Sequence, residues 1–124
     1  MNLDQLRDRL ILAIHSDKSA DDYFRTHLDD PEMLLSLCVI CAPYNKYSND
    51  CRMQAAHYLS LAPSKLLGQI IPVLCVLVSI PDEGGEDMNG NIACPLLTAI
   101  ERGKPFFEGI IYHDLEDLKK RYAC

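Results

Sequence analysis

Apolar residues along this chain recur at helical spacing, and one stretch of the pattern occurs twice. Residues 34–59 combine an apolar run of helical length, a polar break and a second segment with small residues, and a shift of 37 residues reproduces that order. A repeat of this period is typical of stacked helical hairpins, because a single hairpin cannot bury its apolar face alone. The pairs that the shift superposes are Leu34 with Ile71, Leu37 with Leu74, Cys38 with Cys75, Val39 with Val76, Ile40 with Leu77, Asp50 with Asp87, Ala56 with Ala93 and Leu59 with Leu96.

The repeat predicts an all-α fold built from two antiparallel helical hairpins, at 31–61 and 64–102, stacked in parallel register. All residues, 1–124, are predicted to form one helical domain, because a chain of this length can bury a core of its own. An amphipathic helix at 3–15 and a last helix after Asp114 are predicted to flank the hairpins as caps.

Capping residues and prolines set the predicted helix boundaries. Ser19 is predicted to cap the second helix, and Asp30, which precedes a proline, is predicted to cap the third. The helix at 64–79 is predicted to kink at Pro72, because proline lacks the N–H of the helical hydrogen bond. Pro95 is predicted to lie in the first turn of the following helix, where that N–H is not needed.

Two segments do not fit a regular helix pattern. Residues 81–91 are rich in glycine and acidic residues and are predicted to form the one long loop. Residues 104–112 contain Phe106, Phe107 and Ile110, which are too apolar for a solvated loop, and Gly109 interrupts any helix. This second segment is predicted to form a lid over the end of the stack.

The second helix of the first hairpin resembles that of a HEAT repeat. Residues 50–56 read Asp-Cys-Arg-Met-Gln-Ala-Ala, and Leu59 follows; the family shows Asp, a small aliphatic residue, Arg, two free positions, Ala-Ala and a Leu three further on. The resemblance covers about 31–103, and the second copy departs from it at Asn89 and at Pro95. It implies a protein-binding scaffold, by analogy with the family.

The charge of the chain favours a basic protein partner. The net charge is −6, with eight acidic and four basic residues in 1–32 and four acidic residues without a base in 82–87. Such a surface disfavours binding to nucleic acid and to anionic membranes and attracts a basic protein. In size, charge and predicted helical architecture, the chain also resembles the small acidic immunity proteins that neutralise basic bacterial toxins.

Nothing in the hydropathy pattern predicts a membrane segment. The longest apolar run, 70–80, is interrupted by Pro72 and is shorter than the ~20 residues of a membrane helix. The first nine residues are charged and do not have the pattern of a signal peptide, so the predicted location is cytoplasmic. In that compartment the six cysteines are expected to be reduced and buried as small apolar residues.

One cluster suggests an alternative function as a metal- or thiol-dependent enzyme. Cys38, Cys41, Cys51 and His57 have the ligand count of a Cys₃His zinc site. However, the first two cysteines share an apolar stripe with leucines, and the repeat places Cys75 where no second cysteine follows. The cysteines are therefore predicted to be core residues. We predict no metal, no cofactor and no catalytic residue.

A partial calcium motif is also present. Asp87, Asn89 and Asn91 occupy the first, third and fifth ligand positions of an EF-hand loop. Ile92 stands where glycine is required, and Thr98 stands where the bidentate glutamate is required. The segment is therefore predicted to bind no calcium.

The predicted partner-binding site is acidic. The acidic residues in 82–87 belong to a loop between paired helices, at an edge where helical scaffolds often bind partners. The acids at the start of the third helix belong to the same layer and are predicted to extend the negative patch. The predicted partner-binding residues are Asp29, Asp30, Glu32, Asp82, Glu83, Glu86 and Asp87.

Overall fold

The part of the chain that the structure describes is all-helical. The computed structural model describes residues 2–43, 45–80 and 86–124, and at 86–89 it describes the backbone alone. These residues form eight α-helices and no strand, which confirms the predicted fold class. The helices are α1 Leu3–Ile14, α2 Lys18–His27, α3 Pro31–Cys41, α4 Asn49–Leu61, α5 Ser64–Gln69, α6 Ile71–Ser79, α7 Glu86–Gly103 and α8 Leu115–Arg121, with a 3₁₀ helix at Lys104–Phe106.

Side-chain caps start α1, α2, α3, α4 and α8, and the caps of α3 and α8 are the predicted ones. Asp30 accepts a hydrogen bond from the backbone N–H of Glu32 at 3.0 Å and starts α3. Asp114 accepts from the backbone N–H of Asp117 at 3.2 Å and starts α8. The predicted cap of α2 is wrong, because Asp17 and not Ser19 caps this helix.

A tight corner between α1 and α2 explains the different cap. Ser16 has a φ of 67°, in the left-handed region. Its N–H donates to the carbonyl of Ala13 at 3.0 Å, and the N–H of Asp17 donates to the carbonyl of Leu12 at 3.0 Å. This is the Schellman pattern that ends many helices. Asp17 therefore follows the end of α1 directly, and its side chain accepts from the N–H of Ala20 at 2.9 Å.

The helices pack as two neighbouring pairs. α3 packs on α4, and α6 packs on α7, while α3 also contacts α6 and α4 also contacts α7. α1 lies against α2 and α4. Residues matched by the 37-residue shift have similar burial: Cys38 and Cys75 are buried, whereas Val39 and Val76 are 50% and 53% exposed.

The segment predicted as one kinked helix is two helices. α5 ends at Gln69, and α6 begins at Ile71. The intervening Ile70 has φ −113° and ψ 14°, outside the helical range. Pro72 lies in the first turn of α6, where a backbone N–H would have no acceptor within the helix, so its absence costs no hydrogen bond. The proline therefore starts a new helix and does not kink an existing one.

α7 is longer than predicted. Residues 86–91, predicted as part of a loop, are helical, and Pro95 lies inside the helix instead of in its first turn. The predicted loop residues 81–85 lie outside the described residues. Ile92 and Leu96, on either side of the proline, are buried in the core. Because helices in proteins are stabilised mainly by such packing, the burial offsets the cost of about 3 kcal/mol of an internal proline.

The cysteines are of two kinds. Cys94 and Cys124 form a disulfide, so the expectation that all six are reduced is wrong for this pair. Leu115 and Leu118 of α8 are buried in the common core, and the Tyr122 hydroxyl donates to the carbonyl of Val78 at 2.9 Å. The disulfide thus joins the end of α8 to α7. The free cysteines, all buried, are Cys38, Cys41, Cys51 and Cys75.

The predicted lid at 104–112 is only partly buried. Phe107 and Ile111 pack against the core. Phe106 and Ile110 are exposed, and Tyr112 is 87% exposed. The apolar composition therefore does not bury the whole segment, because only some of its apolar side chains reach the core. None of the described helices combines the length and the apolar character that a membrane crossing requires.

We expect reduction of the Cys94–Cys124 disulfide to lower the free energy of unfolding by about 3–4 kcal/mol, because the cross-link closes a loop of 30 residues in the unfolded chain. Urea unfolding with and without a dithiol reductant measures the difference. Cys124→Ser should match the reduced protein and no longer respond to reductant. Cys75→Ala is the matched control and should keep the full response. Equal unfolding free energies with and without reductant would contradict the cross-link.

Candidate protein interface

Two adjacent helices expose apolar side chains to solvent. On α3, Leu35 and Val39 are 45% and 50% exposed; on α6, Val73 and Val76 are 39% and 53% exposed. Residues three or four apart in a helix lie on the same side of it, so each pair forms one stripe. Because α3 contacts α6, the two stripes lie on neighbouring helices. We call these four residues the α3–α6 face.

The α3–α6 face lies in two long charge-free stretches of the chain. No charged residue occurs in 33–45 or in 66–81. The exposed side of a surface helix normally carries charged and polar residues. Contiguous apolar residues on a surface mark sites of interaction, whereas single ones need no explanation. The α3–α6 face therefore has the composition of an interaction surface.

Buried Arg52 fixes the C-terminal end of α3. Its side chain is in the core, at 5% exposure for the residue as a whole. The Nε–H donates to the carbonyl of Cys41 at 3.0 Å, and Nη1 donates to Oδ1 of Asn49 at 3.1 Å. The last carbonyls of a helix have no partner within it and carry partial negative charge, so a guanidinium is favourable there. The bond ties α3 to α4 and sets the direction in which α3 faces.

A neutral side chain satisfies the other carbonyls at this end. Nδ2 of Asn45 bonds to the carbonyls of Val39 and Ile40 at 3.0 Å each, and to that of Ala42 at 2.6 Å. Its Oδ1 accepts from the N–H of Tyr47 at 2.9 Å. The end of α3 is thus closed without an exposed charge beside the α3–α6 face.

The opposite end of α3 is acidic. Asp29, Asp30 and Glu32 are exposed there, and none of them forms an ion pair with a residue that the structure describes. The nearest preceding base, Arg25, pairs with Asp21 at 2.9 Å. The N-terminus of a helix favours negative charge. This group, which we call the acidic end of α3, therefore carries charge that the described residues do not neutralise.

A buried tyrosine holds α2, which leads into the acidic end. The ring of Tyr58 stacks on Phe24 at a centroid distance of 4.6 Å, and its hydroxyl donates to Oδ1 of Asp21 at 2.7 Å. This hydrogen bond, followed by the one from Arg25, lowers the pKa of Asp21. The ionised carboxylate is therefore the stabilising form at neutral pH, and its contribution is lost as the pH falls through the lowered pKa.

The structure describes the predicted acidic site only in part. Asp29, Asp30 and Glu32 lie at the N-terminus of α3. Ile80, the last described residue before the other acids, lines the same small cavity as Cys41, at the C-terminus of α3. The length of α3, ~16 Å at 1.5 Å per residue, lies between these two ends. Of the other acids, the structure describes only the backbone at 86–87, which forms the first turn of α7, and 82–83 lie outside it.

The cysteines of the alternative enzyme hypothesis lie in the core. Cys38, Cys41 and Cys51 are buried, whereas His57 is on the solvent side of α4. Burial raises the pKa of Cys38 to about 12 and raises that of Cys41 well above its ordinary value. Within the described residues, no three His, Cys, Asp or Glu side chains are grouped so that they could hold a metal ion. The described geometry therefore does not bring these four residues together as a site.

The sequence pattern alone missed the α3–α6 face. Leu35 and Val73 belong to apolar runs that also contain core residues, and the order of residues along the chain does not distinguish the exposed positions from the buried ones. The signal that could have found the face was the absence of any charge from both runs. Next to Val73, Pro72 lines an open cleft of about 690 Å³ together with Phe106 and the charged Lys65 and Glu108, so the apolar surface gives way to a mixed one there.

The comparisons with known proteins provide no relative. No protein-family model, no curated protein and no solved structure matches the chain. The functional assignment therefore rests on the residues and the geometry described above.

We expect Arg52→Met to lower the free energy of unfolding by about 2–4 kcal/mol, because it leaves the buried carbonyl of Cys41 without its donor. Arg25→Met is the matched control: its ion pair is exposed, and its loss should cost less than about 1 kcal/mol. Urea unfolding of both variants measures the difference. Similar losses in the two variants would contradict the structural role of Arg52.

We expect the four free thiols to resist alkylation by iodoacetamide in the native protein at pH 8. A thiol with a pKa of about 12 is ionised in only about one molecule in ten thousand at that pH, and burial excludes the reagent. Mass spectrometry should show modification of Cys38, Cys41, Cys51 and Cys75 only after denaturation. Cys124, freed by reductant, is the exposed internal control. Rapid native modification of Cys38 or Cys41 would contradict the assignment and favour the thiol-enzyme hypothesis.

Proposed function

We propose that this protein is a protein–protein interaction module, and not an enzyme, which binds a basic protein through the α3–α6 face. The observation that carries the proposal is the exposure of four apolar side chains on two adjacent helices, in segments of the chain that contain no charged residue. Removing apolar surface from water is favourable by roughly 25 cal/mol per Å². A partner that covers this face gains that free energy, and few charges have to be desolvated.

The acidic end of α3 favours a basic partner. Asp29, Asp30 and Glu32 stand beside the apolar stripe of the same helix, as the polar rim of an interface stands beside its apolar centre. The chain as a whole has a net charge of −6. Charges of opposite sign on the partner accelerate association and disfavour acidic competitors. The apolar face thus supports affinity, and the acids support selection of the partner.

The proposed architecture is HEAT-like, with hairpins α3–α4 and α6–α7 and with the other helices as caps. The contacts of α3 with α6 and of α4 with α7 support it, as does the similar burial of residues matched by the repeat. In such a stack the α3–α6 face belongs to one outer layer. An immunity protein that neutralises a basic toxin is one form that this module can take, and the acidic surface supports that assignment.

The proposed location is the cytoplasm. The four unpaired cysteines support a reducing compartment, whereas the Cys94–Cys124 disulfide supports an oxidising one, because disulfides persist mainly under oxidising conditions. Trapping of thiols with an alkylating reagent at the moment of extraction distinguishes the two. A reduced pair supports the cytoplasm, and an oxidised pair supports an oxidising compartment.

We expect substitution of the α3–α6 face to abolish partner binding. Val39→Glu with Val76→Glu places two carboxylates on the face, and the affinity for the partner should fall by at least a hundredfold. Affinity capture compares wild type with this double variant as bait, and the purified partner is then titrated by calorimetry. Ile11→Glu with Leu12→Glu is the matched control, because these α1 residues are also exposed and apolar. Equal binding by both double variants would contradict the proposal.

The acidic residues are tested by their effect on the association rate. Asp29→Asn, Asp30→Asn and Glu32→Gln together should slow association at low salt and have little effect at high salt, because ions screen the field over ~8–10 Å. Asn at position 30 remains a good helix cap. A second variant with Asn or Gln at the four acidic positions of 82–87 tests the other acidic group. If neither variant changes the rate at any salt concentration, the partner is not selected by these charges.

A further inference from the structure

We infer that the segment of the partner that occupies the α3–α6 face is a single amphipathic α-helix of about three turns, with basic residues at one end. This inference rests on the proposed function and specifies the chemistry of its partner. Four observations support it. The two helices of the face run side by side, and their backbone groups bond mostly within the helices. The exposed side chains are short, and acids that form no ion pair with a described residue lie at the acidic end of α3.

The groove lies between two helices of similar length that run side by side. α3 has 11 residues and α6 has 9, which correspond to ~16 Å and ~14 Å. Cys41 and Val78, both near the C-terminal ends of these helices, line the same small cavity. The C-terminal ends therefore lie together. A third helix that packs on both would be in contact over about three turns.

The α3–α6 face offers a ligand little backbone hydrogen bonding. Leu35, Val39 and Val76 lie inside helices, where the backbone groups bond to one another, and only the N–H of Val73, in the first turn of α6, has no helical acceptor. The described residues also contain no strand, so an extended peptide has no sheet edge to join there. An extended segment would be buried with unpaired N–H and C=O groups, which is costly. A helix satisfies its own backbone and avoids this cost.

The exposed side chains leave a shallow groove. Three of the four residues of the face are valines, which are short and stiff about χ1. Helices pack at axis separations of 8–10 Å when the side chains of one enter the grooves of another. Leu, Ile or Phe residues at positions i, i+3, i+4 and i+7 of the partner would form a stripe that fits between the two rows.

Among the described residues, the unneutralised acids beside the groove lie at one end of α3. The acidic end of α3 presents Asp29, Asp30 and Glu32 without ion pairs among the described residues. At the other end of α3, Asn45 satisfies the helix carbonyls, and Lys46 pairs with Asp4 at 2.8 Å. Lys or Arg residues at the end of the partner helix that meets the acidic end of α3 would be complementary.

Synthetic peptides test the inference directly. The probe is a capped peptide of about 14 residues composed of Leu, Ala, Gln and Lys, with Leu in a helical stripe and Lys confined to one terminal turn. The control peptide has the same composition, with the Leu residues in alternation so that they form no helical stripe. Fluorescence anisotropy measures affinity, and circular dichroism measures the helix content gained on binding.

The expected result is at least tenfold tighter binding of the striped peptide than of the control, with a gain of helix content. Val39→Glu with Val76→Glu should remove this preference, and Ile11→Glu with Leu12→Glu should retain it. If the first variant does not fold, Val39→Thr with Val76→Thr keeps the side-chain shapes and should weaken binding severalfold. Equal affinity for both peptides, or no binding of the striped peptide, overturns the inference.

Two further outcomes separate this inference from the proposed function. If the natural partner depends on Val39 and Val76 but its bound segment is extended by NMR chemical shifts, the helix inference fails and the proposed function stands. If the partner binds the face variants as tightly as wild type, both the inference and the proposed function fail.

Self-association of the wild-type chain is a third outcome. If Val39→Glu with Val76→Glu abolishes such self-association, a second copy of the chain occupies the face, which also overturns the inference. Analytical ultracentrifugation measures this last outcome.

Discussion

The buried guanidinium of Arg52 is the constraint on which the arrangement of the first hairpin depends. A charge in the core is tolerated only with hydrogen-bond partners, and Arg52 finds them in the carbonyl of Cys41 and the side chain of Asn49. Because one partner ends α3 and the other begins α4, the two helices cannot turn independently. This contact, together with the packing of α3 on α4 and α6, holds α3 in the orientation that leaves Leu35 and Val39 exposed.

The same contact explains how a helix can end without an exposed charge. Helices commonly carry basic residues in the last turn, but α3 has none. Arg52 reaches this end from inside the protein, and Asn45 covers the remaining carbonyls as a neutral group. The surface beside the α3–α6 face therefore stays apolar, while the acidic end of α3 is left as the charged border. The apolar surface and the charged surface thus occupy different parts of one helix.

Several features could be predicted from the sequence because they are local. Asp30 and Asp114 are caps whose partners lie two or three residues further on, and α3 and α8 begin where these residues indicate. The predictions that were wrong have two causes: contacts with distant residues, and a neighbouring turn that the local pattern did not reveal. Pro95 remains inside α7 because Ile92 and Leu96 are held in the core on both sides of it. Ser19 is not a cap because the turn at Ser16 brings Asp17 into that position first.

The periodicity of the apolar residues determined the class of fold and most helix positions, since side chains three and four apart share a helix side whatever the rest of the chain does. It could not determine which apolar residues stay exposed. Val39 and Cys38 are equally apolar neighbours, and only the packing of α3 against α4 and α6 buries one and exposes the other. The pairing of Cys94 with Cys124 has the same origin: the two residues are 30 positions apart, and they meet because the buried leucines of α8 place the end of the chain on α7. Contacts between distant residues depend on the free energy of the whole core, so a short stretch of sequence cannot determine them.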